Sequence, residues 1–307
     1  KEFGVKAYTD PHAFLTSDNL DAITIATPSG AHQDIAVLAA EKKINILCEK
    51  PLEVTGARSN TIIDACRKNG VQLGVIFQGR FEPCTLLAKD AIKAGRLGRI
   101  LFASCQMRWA RSQAYYDSAP WRGTWALDGG GCLMNQAIHS IDLLLHLAGD
   151  PLAVAAFKGI STHQRIEVED NFCASVRYAS GAVGTIEAST SCEPGLPRKI
   201  EISGESGTIC IEGNRIVRWE FKDMISGDED IVQSFESPEE GLGGATDPMA
   251  IDVTGHRRVV DDFVTSLHEK RAPRVSGEEG KRSVDFICAA YRSMEQNGAV
   301  VPIGARL

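Results

Sequence analysis

No stretch of this chain stays apolar for anything near the roughly 20 residues needed to cross a bilayer, which excludes a helical membrane span. Positive charge is in short supply: 33 lysines and arginines against 40 aspartates and glutamates leave a formal net charge of -7. That balance argues against nucleic acid or an anionic membrane as a partner. Cysteines are sparse: there are nine, no two lie closer than 18 positions, and no C-x-x-C occurs. Disulfide frameworks and zinc sites cluster their cysteines, so these read as buried small apolar side chains in a reducing, cytoplasmic compartment. The opening Lys1-Glu2-Phe3-Gly4 has none of the features of a secretory signal.

What is present is an ordinary globular composition, 43% hydrophobic and 24% charged over 307 residues. That length holds one large domain or two ordinary ones. Residues 21–26 form a β-branched run closed by Thr27-Pro28-Ser29-Gly30, and residues 31–43 carry a helical apolar stripe. Strand-like 44–48, helical 55–69 and strand-like 71–77 follow, the alternation that builds right-handed β-α-β units and a parallel sheet. Beyond residue 98 the pattern changes. Residues 100–108 read as a strand and 131–147 as one long helix, followed by strand candidates at 152–160, 168–178, 182–191, 198–204, 207–211 and 215–221. In 171–178 every second residue is large or apolar, the mark of an antiparallel strand with one face on a core. Residues 222–248 hold eight carboxylates and one lysine, which predicts a solvated loop. Helices are expected at 256–269 and 278–296. The fold class is therefore α/β: a doubly wound, Rossmann-like parallel sheet over 1–98, then an α+β domain with a large, mostly antiparallel open sheet over 99–307.

A dinucleotide-binding domain normally opens with strand, G-x-G-x-x-G and helix, with an acidic residue about 20 positions later. Neither occurs here. The chain starts with what reads as a helix tail and a short strand near residues 5–8, so the pattern predicts two β-α units upstream of Lys1.

Three pieces of sequence carry chemistry. Ala26-Thr27-Pro28 with His32, and Glu49-Lys50-Pro51, lie at the C-terminal ends of successive parallel strands, where open α/β sheets bind ligands. Lys50 there is either a surface lysine or, partly desolvated, a group whose pKa falls towards neutrality. The third piece is Gly129-Gly130-Gly131 followed by Asn135 and His139, four apart on one helix face. The glycines allow close approach of backbone to a ligand, His139 can take a proton, and Asn135 can orient the ring or a substrate. His146 reads as a packing histidine, and the spacing of His139, Asp142 and His146 is too loose for a metal site.

Together these residues resemble the glucose–fructose oxidoreductase / inositol dehydrogenase / rhizopine catabolism (Gfo/Idh/MocA) family. The likeness runs through DAITIATPSGAH, ILCEKPLEVT, FQGRFEP, WRGTWALDGGGCLMNQAIHSIDLL, VEDNFCASVRY and the C-terminal helices. It implies a Rossmann domain holding NAD or NADP, an open-sheet domain, and hydride transfer to or from a hydroxyl of a sugar, cyclitol or nucleotide sugar. The family's E-K-P lysine falls on Lys50, with Pro51 often cis, and its helix histidine on His139. Many members have aspartate where this chain has Asn135; the NQ-x-x-H form resembles the branch acting on UDP-N-acetylglucosaminuronic acid. Cofactor contacts carry over to Ala26, Thr27, Pro28, His32, Glu49, Lys50, Gln78, Arg80, Trp121 and Arg122. His32 and Gln78 read equally as structural caps, and Arg80 and Arg122 as surface ion pairs. The resemblance leaves open an NAD-dependent glycosidase and a non-catalytic ligand-binding relative. Covering the open sheet predicts a homodimer or homotetramer.

Overall fold

The computed structural model describes residues 4–17, 19–159, 161–235 and 253–304. Residues 5–8, expected as a strand, join no ladder, and Val5 is 74% exposed. The chain turns instead into a short helix, α1 (Pro11–Ser17), because both Asp10 carboxylate oxygens accept N–H bonds, from His12 and Ala13. The expected alternation then follows: β1 (Ala22–Ile25), a 3₁₀ turn at Ser29–Ala31, α2 (His32–Glu41), β2 (Asn45–Cys48), α3 (Gly56–Asn69) and β3 (Leu73–Val75). Thr55 Oγ1 caps α3 by accepting from Arg58 N–H, and Gly70 in the left-handed region (φ 68°) ends it. The three strands are parallel in the order β1-β2-β3, with Ile23, Ile46 and Leu73 in register. A 3₁₀ turn at Gln78–Phe81 leads to α4 (Pro83–Lys93).

The second sheet begins with β4 (Ile100–Arg108), followed by the short α5 (Gln113–Asp117). The helix expected over 131–147 is two structures. Residues Cys132–Ala137 form a wide turn with i→i+5 bonding, and only Ile138–Ala148 is regular α-helix, α6. Strands β5 (Pro151–Lys158), β6 (Asn171–Tyr178), β7 (Val183–Ser189), β8 (Lys199–Gly204), β9 (Gly207–Glu212) and β10 (Arg215–Phe221) follow. Then come α7 (Asp228–Ser234), α8 (Thr254–Glu269), α9 (Gly277–Glu295) and a two-residue edge strand, β11 (Val301–Pro302). The sheet order is β10-β9-β8-β4-β7-β6-β5-β11; β4 and β7 run parallel and the other pairs antiparallel. Phe172, Ala174, Val176 and Tyr178 of β6 point inward and are buried, while Cys173 and Arg177 point outward. Leu143, Leu144 and Leu145 of α6 are all buried, as a helix enclosed on every side requires.

The acidic stretch 222–248 is not uniformly a solvated loop. Asp228 starts α7 and is buried, bonded by Arg96 Nη1 and Trp219 Nε1, each at 2.8 Å. The Arg96 hydrogen bond holds its carboxyl below the usual range. Residues 236–248 lie outside the described residues. The change near residue 98 falls in the turn between α4 and β4, where the chain switches sheets. The last two helices return to the first sheet: Val275 O accepts from Val75 N–H at 2.9 Å, Phe263 of α8 lies on Gly74, and Gly280 of α9 lies on Val75. All nine cysteines are free thiols.

Candidate active site

Parallel pairing brings the C-terminal ends of β1, β2 and β3 to one edge. β1 delivers Ala26 and Thr27, both exposed, and half-buried Pro28. β2 delivers Glu49 and Lys50, and the Lys50–Pro51 peptide is cis. Buried His32 ties these turns together: Nδ1 lies 3.0 Å from Pro51 O and Nε2 2.9 Å from Thr27 O. Its place is thus a cross-link beneath the crevice. Glu49 N–H donates to Ile25 O at 2.8 Å, and Glu49 Oε2 accepts from Lys50 N–H at 3.2 Å. Gln78 opens the turn after β3, and its Oε1 is buried with no hydrogen-bond partner among the described residues. A buried orphan acceptor costs free energy until something donates to it. That acceptor after β3, with Ala26 and Thr27 exposed after β1, fits a polar ligand laid across the strand ends, as a dinucleotide would be.

The second sheet contributes the wide turn Cys132–Ala137. Glu169, buried just before β6, caps its start: Oε2 accepts from Gly131 N–H at 3.1 Å and Oε1 from Leu133 N–H at 2.9 Å and Tyr291 Oη–H at 3.1 Å. Burial pushes this carboxyl up to about 7, against the pull of those donors. From the turn, Asn135 O accepts from Lys50 Nζ at 2.6 Å, joining the two halves of the molecule. Asn135 Nδ2 donates to Asp128 Oδ1, and Asp128 Oδ2 accepts from Gly123 N–H at 2.8 Å. One turn on, the His139 ring stands edge-on to Phe77, centroids 5.9 Å apart, and makes no hydrogen bond among the described residues.

The electrostatics match the geometry. Burial lowers the Lys50 ammonium pKa, Glu49 and Asp128 oppose that, and Arg122 and Arg111 reinforce it. Burial, then the nearby Lys50 charge, drives His139 well below the ordinary imidazole value of 6.5. The ring is therefore neutral near pH 7 with a nitrogen able to accept a proton. Lys50 has three N–H donors, and Asn135 takes one.

Around this pair stand Arg122, whose guanidinium lies 4.6 Å over the Trp121 ring and donates to Tyr115 Oη at 2.6 Å, and Gln136, which donates to the same oxygen at 2.8 Å. Arg122 is thus stacked and half-buried, not a surface ion pair. Arg80 is neither surface-exposed nor free for a cofactor. It is 5% exposed, paired in a fork with Asp142 (2.8 and 2.7 Å) and bonded to Glu279 at 2.7 Å. Asp142 is consumed by the same fork. Nor do the three glycines face a ligand: a Cβ on Gly131 would lie 1.7 Å from Glu169 O, and one on Gly130 (φ 154°) 2.0 Å from Tyr291 Oη. They let the turn seat on protein. Sequence reasoning missed Asp128, Glu169, Tyr115 and Gln136. Two of them left a signal: Asp128, an acid directly before the glycine triplet and seven residues from Asn135, and Gln136, the second residue of NQ-x-x-H.

Residues 1–77 match the family model for the oxidoreductase family, NAD-binding Rossmann fold, and residues 85–210 match the Gfo/Idh/MocA C-terminal domain. The WlbA dehydrogenase from Bordetella pertussis, solved with NADH and UDP-GlcNAcA, superposes with a TM-score of 0.87 at 32% identity, covering 99% of this chain and 84% of that one. The myo-inositol 2-dehydrogenase of Thermotoga maritima is 25% identical over 96% of this chain and 84% of its own length. The levoglucosan dehydrogenase of Pseudarthrobacter phenanthrenivorans is 30% identical over 70% of this chain and 61% of its own length.

Proposed function

This chain belongs to the Gfo/Idh/MocA family of NAD- or NADP-binding oxidoreductases acting on hydroxyls of sugars, cyclitols and nucleotide sugars, and on that premise we propose that Lys50 and His139 together hold and deprotonate the reacting hydroxyl. The observation that carries this reading is the Lys50–Asn135 bond, which fixes the ammonium one turn from a neutral imidazole that makes no hydrogen bond among the described residues.

When bound, the dinucleotide accepts or returns the hydride of the substrate's C–H bond. Ala26, Thr27, Pro28 and Glu49 at the strand ends would hold it, with the orphan Gln78 Oε1 accepting one of its donors. In the oxidative direction His139 takes the hydroxyl proton at a ring nitrogen. Lys50 donates one of its remaining N–H groups to the oxygen, offsetting the negative charge that grows there. The carbon–oxygen single bond becomes a carbonyl, and the proton leaves through the imidazole.

The nucleotide-sugar class is the substrate we favour, because the neighbour at 32% identity is described in complex with UDP-GlcNAcA. Arg122 and Arg111 near Lys50 suit such an anionic ligand. Reduction of either dinucleotide by a panel of uronic acid nucleotide sugars, free sugars and inositols tests this. Turnover of free alcohols alone would move the assignment to them. Lys50→Met and His139→Ala each lower kcat by about 10²–10⁴-fold with an unchanged melting temperature; full activity in either removes that residue from the mechanism.

We also assign self-association to the open sheet face. Phe102 (58% exposed), Phe157 (55%) and Val183 (44%) lie on strands β4, β5 and β7, and so broad an apolar face favours cover.

A further inference from the structure

We propose that Asp128 is the positioning residue of the Lys50–Asn135 pair and, after Glu49, a second negative charge near Lys50. The inference rests on the role of Lys50 proposed above.

Lys50 sits half-buried among positive groups. Arg111 and Arg122 act on it from the second-sheet side, and the His139 imidazole shares its surroundings from α6. Asn135, which receives its Nζ, cannot ionise. A cation so placed needs a fixed negative charge, or it gives up its proton. Two carboxylates act on Lys50. Glu49, the stronger of the two, is its chain neighbour and bonds the Lys50 backbone N–H at 3.2 Å. Asp128 comes from the other half of the molecule and is 2% exposed.

Both Asp128 oxygens accept from N–H donors, Gly123 N–H at 2.8 Å and Asn135 Nδ2–H, and such bonds favour the charged form. This arrangement calls for the ionised acid. Burial raises the Asp128 pKa, and those two bonds, Lys50 and Arg122 oppose the rise. By accepting from Nδ2, Asp128 also fixes which way the Asn135 amide faces: Oδ1 is left to accept from Gln136 Nε2 at 3.2 Å, and the backbone carbonyl is left for Lys50. Asp128 therefore does two things. With Glu49 it keeps Lys50 charged at higher pH, and it anchors the residue whose carbonyl seats Lys50 Nζ.

The test is the proton affinity of Lys50 itself, read without turnover. Trace acetylation of the native full chain with acetic anhydride across pH, with mass spectrometry of the Lys50 peptide, gives a midpoint for that amine. In Asp128→Asn the midpoint moves down by about one pH unit, and the alkaline limb of kcat moves with it while KM holds. Exchanging the pair, Asp128→Asn with Asn135→Asp, returns a carboxylate to the same hydrogen bond and restores the wild-type midpoint. An unchanged midpoint in Asp128→Asn overturns the proposal. Should that variant not fold, the exchanged pair carries the test alone: a restored midpoint supports the role and a lowered one overturns it. Absence of dinucleotide reduction by wild type with every alcohol would sink the proposed function, while the labelling midpoint would still report on Asp128.

Discussion

Lys50 and His139 are two groups held away from their ordinary proton affinities by the same burial. Desolvation leads in both, and each falls: Lys50 below 10.5, His139 well below 6.5. A base that must be neutral loses function only when protonated, and an ammonium only when deprotonated. The acid limb of kcat therefore lies below pH 6.5 and the alkaline limb below 10.5. An initial-rate pH profile checks both, and an acid limb at or above 6.5 would remove His139 as the base. These two residues were legible in the sequence because each sits at a fixed place in a local pattern, a strand end and a helix face. Asp128 and Glu169 were not. Their roles depend on partners that only folding supplies, an amide seven residues away for Asp128 and a turn 38 residues away for Glu169. Arg80 was misread for the same reason, since its fork with Asp142 spans 62 residues.

At the scale of the element, the turn Cys132–Ala137 brings Asn135 to Lys50 in the proposed site. Helical periodicity in the sequence ran unbroken from 131 to 147, but the buried Glu169 carboxylate takes the N–H groups of Gly131 and Leu133 and opens the first turn. Regular helix begins only at Ile138. Gly131→Ala would place a methyl 1.7 Å from Glu169 O, so about 3 kcal/mol of destabilisation is expected, the upper end of the overpacking range. Urea denaturation measures it, and a loss under about 0.5 kcal/mol would show that the glycine is dispensable there. The strands of the second sheet were legible nearly to the residue, because period-two burial is written directly into sequences such as 171–178. Residues 5–8 failed because β-propensity counts for little without a paired neighbour. In 222–248 a charge count concealed Asp228, whose carboxylate is buried because Arg96 and Trp219 receive it.

Across the whole molecule, the half-buried His146 ties stability to pH. Burial, with the charges of Arg80 and Lys89, pushes His146 down to about 3. Its folded pKa lies below the unfolded value of 6.5, so the unfolded chain binds the extra proton, and stability is lost as pH falls from 6.5 towards 3. Between pH 6.5 and 5 that is roughly 2 kcal/mol. In His146→Gln the drop in urea stability over that interval shrinks by about this amount; an identical drop would mean that His146 protonates freely in the folded chain. The open sheet gives a second whole-molecule expectation: Phe102→Asp lowers the assembly to a monomer by sedimentation, whereas a wild-type protein that is already monomeric dismisses the interface.

The central claim is that an ammonium and an imidazole act on one hydroxyl, and a double-mutant cycle on kcat tests it most directly. Groups that serve the same bond-breaking event are not additive. Lys50→Met with His139→Ala is therefore expected to be no slower than the slower of the two single variants. A double variant whose loss equals the product of the two single losses would mean that the two side chains act independently, and would contradict the account.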